Sequence, residues 1–417
     1  MRARRLLVDV APLRESPQFR RLWSGYVASV LGSQVTVVAV PYQVFRLTHS
    51  SLDVGLIGLA QIAPVLGGAL VGGSVADAID RRRLLLVTQA LLGMCSLGLF
   101  WNASLAQPRL WPLYVLSAIG GGFSSVDSST RAAVVANLVE RRQLPSANAL
   151  WQLLFQLGSV AGPALAGVLV AQVGVASTYA VDVGTSLVAL AFVARLQPLP
   201  PLGGGTRFGW QSMKEGLRFL GGRQLLQATF VIDLNAMILG MPRALFPALG
   251  ILRFHGGART VGLLYAAPGT GAFIGAMLTG WVSAVRRQGR AVLIAVALWG
   301  LAIAAFGVVS WLAAGLVLLG VAGAADVISA VFRGTILQNE APDALRGRVS
   351  SIHTAVVTGG PRLGDVESGA VASAVGAPTA VISGGLGCLA GVALVWWLMP
   401  SLAAYRTDRH EAAEGDG

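Results

Sequence analysis

Apolar residues run along this chain in blocks separated by short polar stretches, and the blocks show no two-residue alternation. Each block is about 20 residues long, which is what a helix rising 1.5 Å per residue needs to cross a hydrocarbon layer. The first half holds blocks at 20–45, 53–76, 84–105, 110–137, 145–172 and 176–196. The second half holds blocks at 225–249, 260–284, 291–309, 311–336, 349–374 and 378–399. Only helices or closed barrels satisfy their backbone in lipid, and barrel strands would alternate. The pattern therefore predicts an all-α integral membrane protein with twelve transmembrane helices.

Between the two sets of six lies 197–224, which opens on Pro198, Pro200, Pro201 and Gly203 to Gly205 and reads as a flexible linker. It runs on into Trp210–Gln224, where Met213, Leu217 and Leu220 share one face and Lys214, Arg218 and Arg223 take polar positions. That suits a short helix lying on a membrane surface. The expected organisation is an N-terminal six-helix bundle (1–196), the linker (197–224), a C-terminal six-helix bundle (225–400) and a disordered polar tail (401–417).

Composition agrees with the pattern. Of 417 residues 54% are hydrophobic and 12% charged, about half the charge of a soluble domain. The net charge of +12 does not indicate nucleic acid, because the arginines punctuate apolar blocks and form no patch interleaved with aromatics. The two cysteines, Cys95 and Cys388, lie inside apolar spans and give no disulfide framework. No metal-ligand spacing, phosphate loop or nucleophile elbow is present, so no cofactor is implied. The first 21 residues hold six arginines but precede a long span without a small-residue cleavage site, which reads as a retained helix.

Positive charge sets the orientation. With the N-terminus inside, the inner loops hold Arg81, Arg82, Arg83, Arg141, Arg142, Arg286, Arg287, Arg290, Arg346 and Arg348. The outer loops then hold only Arg46, Arg109, Arg253 and Arg259. A multi-pass protein of the inner or plasma membrane with both termini cytoplasmic is the expectation. The halves also echo each other. Span four ends Arg131-x5-Asn137 and span ten ends Arg333-x5-Asn339; span five holds Gly162-Pro163 and span eleven Gly360-Pro361. Gly280 with its arginines follows span eight as Gly73 with its own follows span two. Repeats of this kind mark secondary transporters, with the substrate site between repeats near the midplane.

The loop after span two places a glycine, an acid four residues on and then a basic pair: Gly73, Asp77, Arg81 and Arg82. This resembles the signature loop of the major facilitator superfamily, although Ala78 and Asp80 stand where the family carries a basic residue and a second glycine. Gly73 suits close helix contact, and Asp77 suits the positive end of a neighbouring helix. In the resembled family the loop latches one conformational state. Span five reads Gly158, Gly162, Pro163 and Gly167, at four- and five-residue spacings that offer a smooth face to another helix, with Pro163 placed to bend it. It resembles the antiporter motif of drug:proton exchangers, with Ala166 for one family glycine. With Leu144 to Leu150 directly before it, the whole chain resembles the subgroup of enterobactin exporters and macrolide efflux proteins. That resemblance implies two pseudo-symmetric six-helix bundles, a small-molecule cargo, a monomer in contact with lipid, and the proton gradient as energy source. One departure is Leu116 to Phe123, which lacks the arginine that drug antiporters carry in span four.

Charges inside spans cost about 2.5–3.5 kcal/mol near the bilayer centre and so need a partner or a wet cavity. The candidates are Asp127 and Arg131 on span four, Asp233 on span seven, Asp326 and Arg333 on span ten, and Arg362, Asp365 and Glu367 on span eleven. Asp127 with Arg131 and Arg362 with Asp365 have pairing distance along a helix. Asp326 and Arg333, seven apart, share a face at too great a separation for a simple contact. Asp233 has no arginine within a turn and stands out as the candidate for proton coupling. Spans one, four, seven and ten line the cavity of the resembled fold. The expected function is export of a siderophore or lipophilic drug-like molecule by proton antiport with alternating access. The alternatives are an importer or facilitator on the same fold and, from another class, a membrane-embedded lipid-modifying enzyme.

Overall fold

A computed structural model describes residues 9–200 and 210–407, without the side chains of residues 210–213, 283, 343 and 344. The first arginines of the chain, the glycine run of the linker and the tail from residue 408, expected to be disordered, lie outside the described residues.

Among the described residues every regular element is helical. Spans one to four are Pro17–Thr48, Ser51–Ala78, Arg81–Ser104 and Trp111–Leu138, and spans five and six share Leu144–Ala194. Span seven begins as Gln224–Leu239 and continues through short turns to Arg253. Spans eight to twelve are Gly257–Met277, Gln288–Val308, Leu312–Glu340, Asp343–Val375 and Ala377–Leu398. Nine helical stretches among the described residues are long and apolar enough to cross a membrane, with spans five and six counted together. Trp111–Leu138 and Asp343–Val375 fall short: glycine and serine dilute the first, and Arg362, Asp365 and Glu367 charge the second. Both of these helices carry candidate intramembrane charges. With them added and the pair counted separately, the twelve expected spans are present.

The ends follow local rules. Ser50 caps span two by accepting the Asp53 amide at 3.1 Å, and Ser16 caps span one through Phe19 N–H at 3.1 Å. Spans five and six are parted by Gly174, at φ 82° and ψ 169°, a conformation in which a Cβ is strained. Gly174→Ala is expected to lower stability by about 1–3 kcal/mol, read as a lower melting temperature of the detergent-solubilised protein. The backbone stays helical through Pro163, and the break between spans five and six falls eleven residues later, at Gly174.

The chain forms two compact units. One gathers the chain up to Pro200 with Arg243–Ala266 and Gly369–Ala377; the other gathers Trp210–Pro242, Ala267–Ser368 and the chain from Pro378. The first has a core of Phe19, Leu22, Leu85, Val134, Ala147, Leu150 and Val193. The second has one built from Leu220, Leu226, Phe230, Leu337, Val349 and Ile352. Internal duplication shows in the packing as well. In the first unit a Cβ on Gly122 of span four would lie 3.1 Å from the Pro64 carbonyl oxygen of span two. In the second, a Cβ on Gly323 of span ten would fall on the Pro268 carbonyl oxygen of span eight. Large apolar side chains are exposed along many of the helices, with Trp101, Trp111, Trp311 and Trp397 at helix ends, as membrane interfaces favour.

The linker helix, Trp210–Leu220, is tied to span eleven. Glu215 pairs with Arg348 at 2.8 Å, and Leu220 is buried in the core of the second unit. The polar tail also starts later than expected. Pro400–Ala404 is helical and Leu402 is fully buried against Gly289, so the segment up to Thr407 is packed. The apolar run 402–405 is too short for a periodic signal to show this.

Candidate functional site

In the first unit the signature loop folds back on itself. Arg81 donates to Asp77 Oδ1 at 3.2 Å, to the Ala76 carbonyl at 3.1 Å and to the Ala133 carbonyl on span four at 3.4 Å. Asp77 thus meets an arginine one turn on, where a neighbouring helix terminus was expected. Arg82 reaches the Ala194 carbonyl at the end of span six at 2.7 Å. Asp80, the departure from the family pattern, has two duties. It caps span three through the Arg83 amide at 3.0 Å, and it accepts the Leu199 amide at 2.9 Å. Gly73 makes no close approach, since a Cβ there would meet nothing within 4 Å. The close helix contact belongs to its neighbour, because a Cβ on Gly72 would lie 3.0 Å from Val126 Cα of span four. Gly72 and Gly73 differ by one helical step of about 100°, which a motif match does not resolve.

The glycines of span five serve two helices. Gly158 takes Val30 and Gly162 takes Gln34, both side chains of span one. Gly167 meets backbone: a Cβ there would lie 2.7 Å from the Ala258 carbonyl oxygen and 2.8 Å from Gly262 Cα of span eight. The Pro163 carbonyl oxygen would lie 2.6 Å from a Cβ on Gly262. A second backbone approach in this unit joins the end of span eleven to the start of span two. A Cβ on Gly369 would lie 2.7 Å from the Ser51 carbonyl oxygen and 3.3 Å from Gly55 Cα. Sequence reasoning missed Gly369, because a lone glycine in a glycine-rich helix carries no pattern.

Most of the intramembrane candidate charges gather into two centres. In the first unit Arg131, fully buried, pairs with Asp127 at 2.5 Å, as the four-residue spacing predicts. Thr88 and Gln89 of span three donate to the same carboxylate at 2.9 and 3.0 Å. The Arg131 guanidinium lies over the Tyr26 ring, 5.3 Å from its centroid, and Tyr26 stacks on Trp151 at 3.9 Å. In the second unit Arg333 of span ten pairs with Asp233 of span seven at 2.7 Å and approaches Asp326 to 4.0 Å. Asp233 is therefore not isolated: its partner stands a hundred residues along the chain, where no spacing rule points. Asp326, seven residues before Arg333, is closer than that separation suggested, because the long guanidinium arm spans the remaining turn. Its side chain is 40% exposed, whereas that of Asp233 is 2% exposed. On span eleven Arg362 donates to the Thr358 carbonyl oxygen and Glu367 is partly buried. His353 packs its ring near Phe230, 6.4 Å between centroids.

Residues 8–412 match the family described as "Transmembrane secretion effector". The chain is 30% identical over 400 residues to the enterobactin exporter EntS of Citrobacter koseri, covering 96% of each protein. It is 29% identical over 411 residues to the enterobactin exporter EntS of Escherichia coli O157:H7, covering 99% of each. Among solved structures, the nucleoside transporter NupG superposes with a TM-score of 0.71 at 12% identity, over 93% of this chain and 98% of that one. The D-xylose-proton symporter gives 0.66 at 14% identity, over 91% and 97%. At such identities these structures speak for the fold alone. The family is one of secretion effectors and both curated relatives are exporters, which sets aside the membrane-enzyme alternative.

Proposed function

We propose that this chain, which belongs to the transmembrane secretion effector family of the major facilitator transporters, exports small molecules of the catecholate siderophore class. The observation that carries this reading is end-to-end similarity to enterobactin exporters, at 30% identity over 96% of both chains. The protein is placed in the inner or plasma membrane with both termini in the cytoplasm, as the arginine distribution favours. It works by alternating access, driven by proton antiport.

Two features support that mechanism. The backbone approaches at Gly167–Gly262 and Gly369–Gly55 lie near outer loops in this orientation, where bare backbone surfaces can part and re-form without side chains to disentangle. The Asp233–Arg333–Asp326 centre gathers two acids and one base on spans that line the cavity of the fold. Its buried pair holds its charge inside, while Asp326 remains open to exchange with cargo or proton. The signature loop, held by Arg81 to span four and by Asp80 to Leu199, serves as the inner counterpart.

The test is efflux from cells that lack their own catecholate exporter and express this chain. Release of a catecholate siderophore is expected to rise and to collapse with a protonophore. No rise would count against the cargo class, and release indifferent to the protonophore would replace antiport by facilitated diffusion.

A further inference from the structure

One buried acid of the first unit belongs to neither charge centre. Asp182, on span six, is 6% exposed. Its Oδ2 accepts the Thr36 hydroxyl of span one at 2.6 Å and the Ser96 hydroxyl of span three at 2.7 Å. Asp127 faces Arg131 and Asp233 faces Arg333, but among the described residues no cation meets Asp182. Span one presents Gly32 and Thr36 to it and span three presents Ser96, none of them charged. The titratable neighbour on its own helix is Tyr179, one turn back, whose hydroxyl donates to Gln43 at 2.9 Å. Cys95, beside Ser96, lies toward span four, 3.9 Å from a Cβ on Gly120.

We infer that Asp182 is a proton-binding site of the transporter, with the Thr36 and Ser96 hydroxyls as its switchable partners. A carboxylate at this depth lacks a counter-charge, and a carboxylic acid needs none. The same hydroxyls serve both forms: both donate to the anion, and one rotates to accept the O–H of the acid. Binding takes up one proton on a carboxylate oxygen and breaks no bond. The isolation that the sequence suggested for Asp233 is found in the structure at Asp182.

Its place in the fold gives that proton something to move. Thr36 lies two residues from Gln34, the span-one side chain seated on Gly162 of the span-five motif. A Cβ on Gly32 would fall on the Asp182 and Thr185 side chains, so the span-one backbone lies directly against this acid. Protonation therefore alters the bonding of the helix that supports span five five residues before its Gly167 approach to span eight. The inference rests on the exporter reading for its transport role and on geometry alone for the site.

The test has two arms. Infrared titration of the purified full chain in lipid nanodiscs is expected to show a protonated-carboxyl stretch that changes with pH. That band should disappear in Asp182→Asn and shift in Thr36→Val and Ser96→Ala. In cells, Asp182→Asn is expected to lose the protonophore-sensitive part of catecholate efflux and to keep efflux down a concentration gradient. A titrating band that survives Asp182→Asn, or full protonophore sensitivity in that variant, would overturn the site. If Asp182→Asn does not fold, the band shift in the two hydroxyl variants decides: a shift supports the site and its absence overturns it. If the wild type moves no catecholate, the exporter reading fails and the infrared arm still judges the site.

Discussion

Gly167→Ala is expected to cut export roughly 5- to 150-fold while Gly158→Ala, in the same motif, leaves it nearly unchanged. The two differ in what the added methyl meets. At Gly158 it would meet Val30 Cγ1 at 2.5 Å, a side-chain methyl and not backbone. At Gly167 it would meet Ala258 O, Gly262 Cα and Gly262 N at 2.7, 2.8 and 3.1 Å, all of them backbone. No rotamer relieves that, so spans five and eight must separate. Overpacking of this kind costs about 1–3 kcal/mol, which becomes the stated bias against the closed arrangement. Gly262→Ala should behave alike, since its methyl would meet Pro163 O at 2.6 Å and Gly167 Cα at 2.7 Å. Transport per inserted molecule is the quantity to compare. Equal export by the Gly158 and Gly167 variants would mean that this approach is packing alone and not part of a cycle that opens and closes.

How far the sequence reached depends on the distance over which each feature is encoded. Spans are encoded locally, in the lengths of apolar blocks, so all twelve were legible from 54% hydrophobic content gathered into helices. The Asp127–Arg131 pair was legible for the same reason: four residues make one helical turn. Asp233–Arg333 was not, because which faces of spans seven and ten meet is decided by packing between distant segments. Motif matching identified the signature loop and still missed how it works. It put the contact on Gly73 where Gly72 makes it, and it noted Asp80 only as a departure from the pattern where Asp80 caps span three and holds Leu199. Asp182 was visible as a polar position that could face the cavity, but its role was not legible. An acid in an apolar span is conspicuous, but its significance lies in the absence of a cation on the neighbouring helices, which one helix cannot reveal.

The second large effect is expected at the Arg333 centre, where stability and export should come apart. Arg333→Gln leaves Asp233, 2% exposed, without its counter-charge, and breaking a buried pair in this way costs about 3–5 kcal/mol. Poor insertion and a low melting temperature are expected of that variant. Asp233→Asn is expected to be milder, because the guanidinium retains Asp326 within 4.0 Å. The double variant Asp233→Asn/Arg333→Gln removes both buried charges and keeps amide groups of similar shape. Most of the lost stability should return, since neutral replacements of buried pairs are often close to neutral overall. If the pair only holds spans seven and ten together, export returns along with the fold. If it takes part in coupling, the double variant is well folded and silent, for Asp326 then has no cation to exchange with cargo or proton. Melting temperature and catecholate efflux, measured on the same four proteins as a double-mutant cycle, separate the two cases. We expect the cycle to close for stability and to stay open for export.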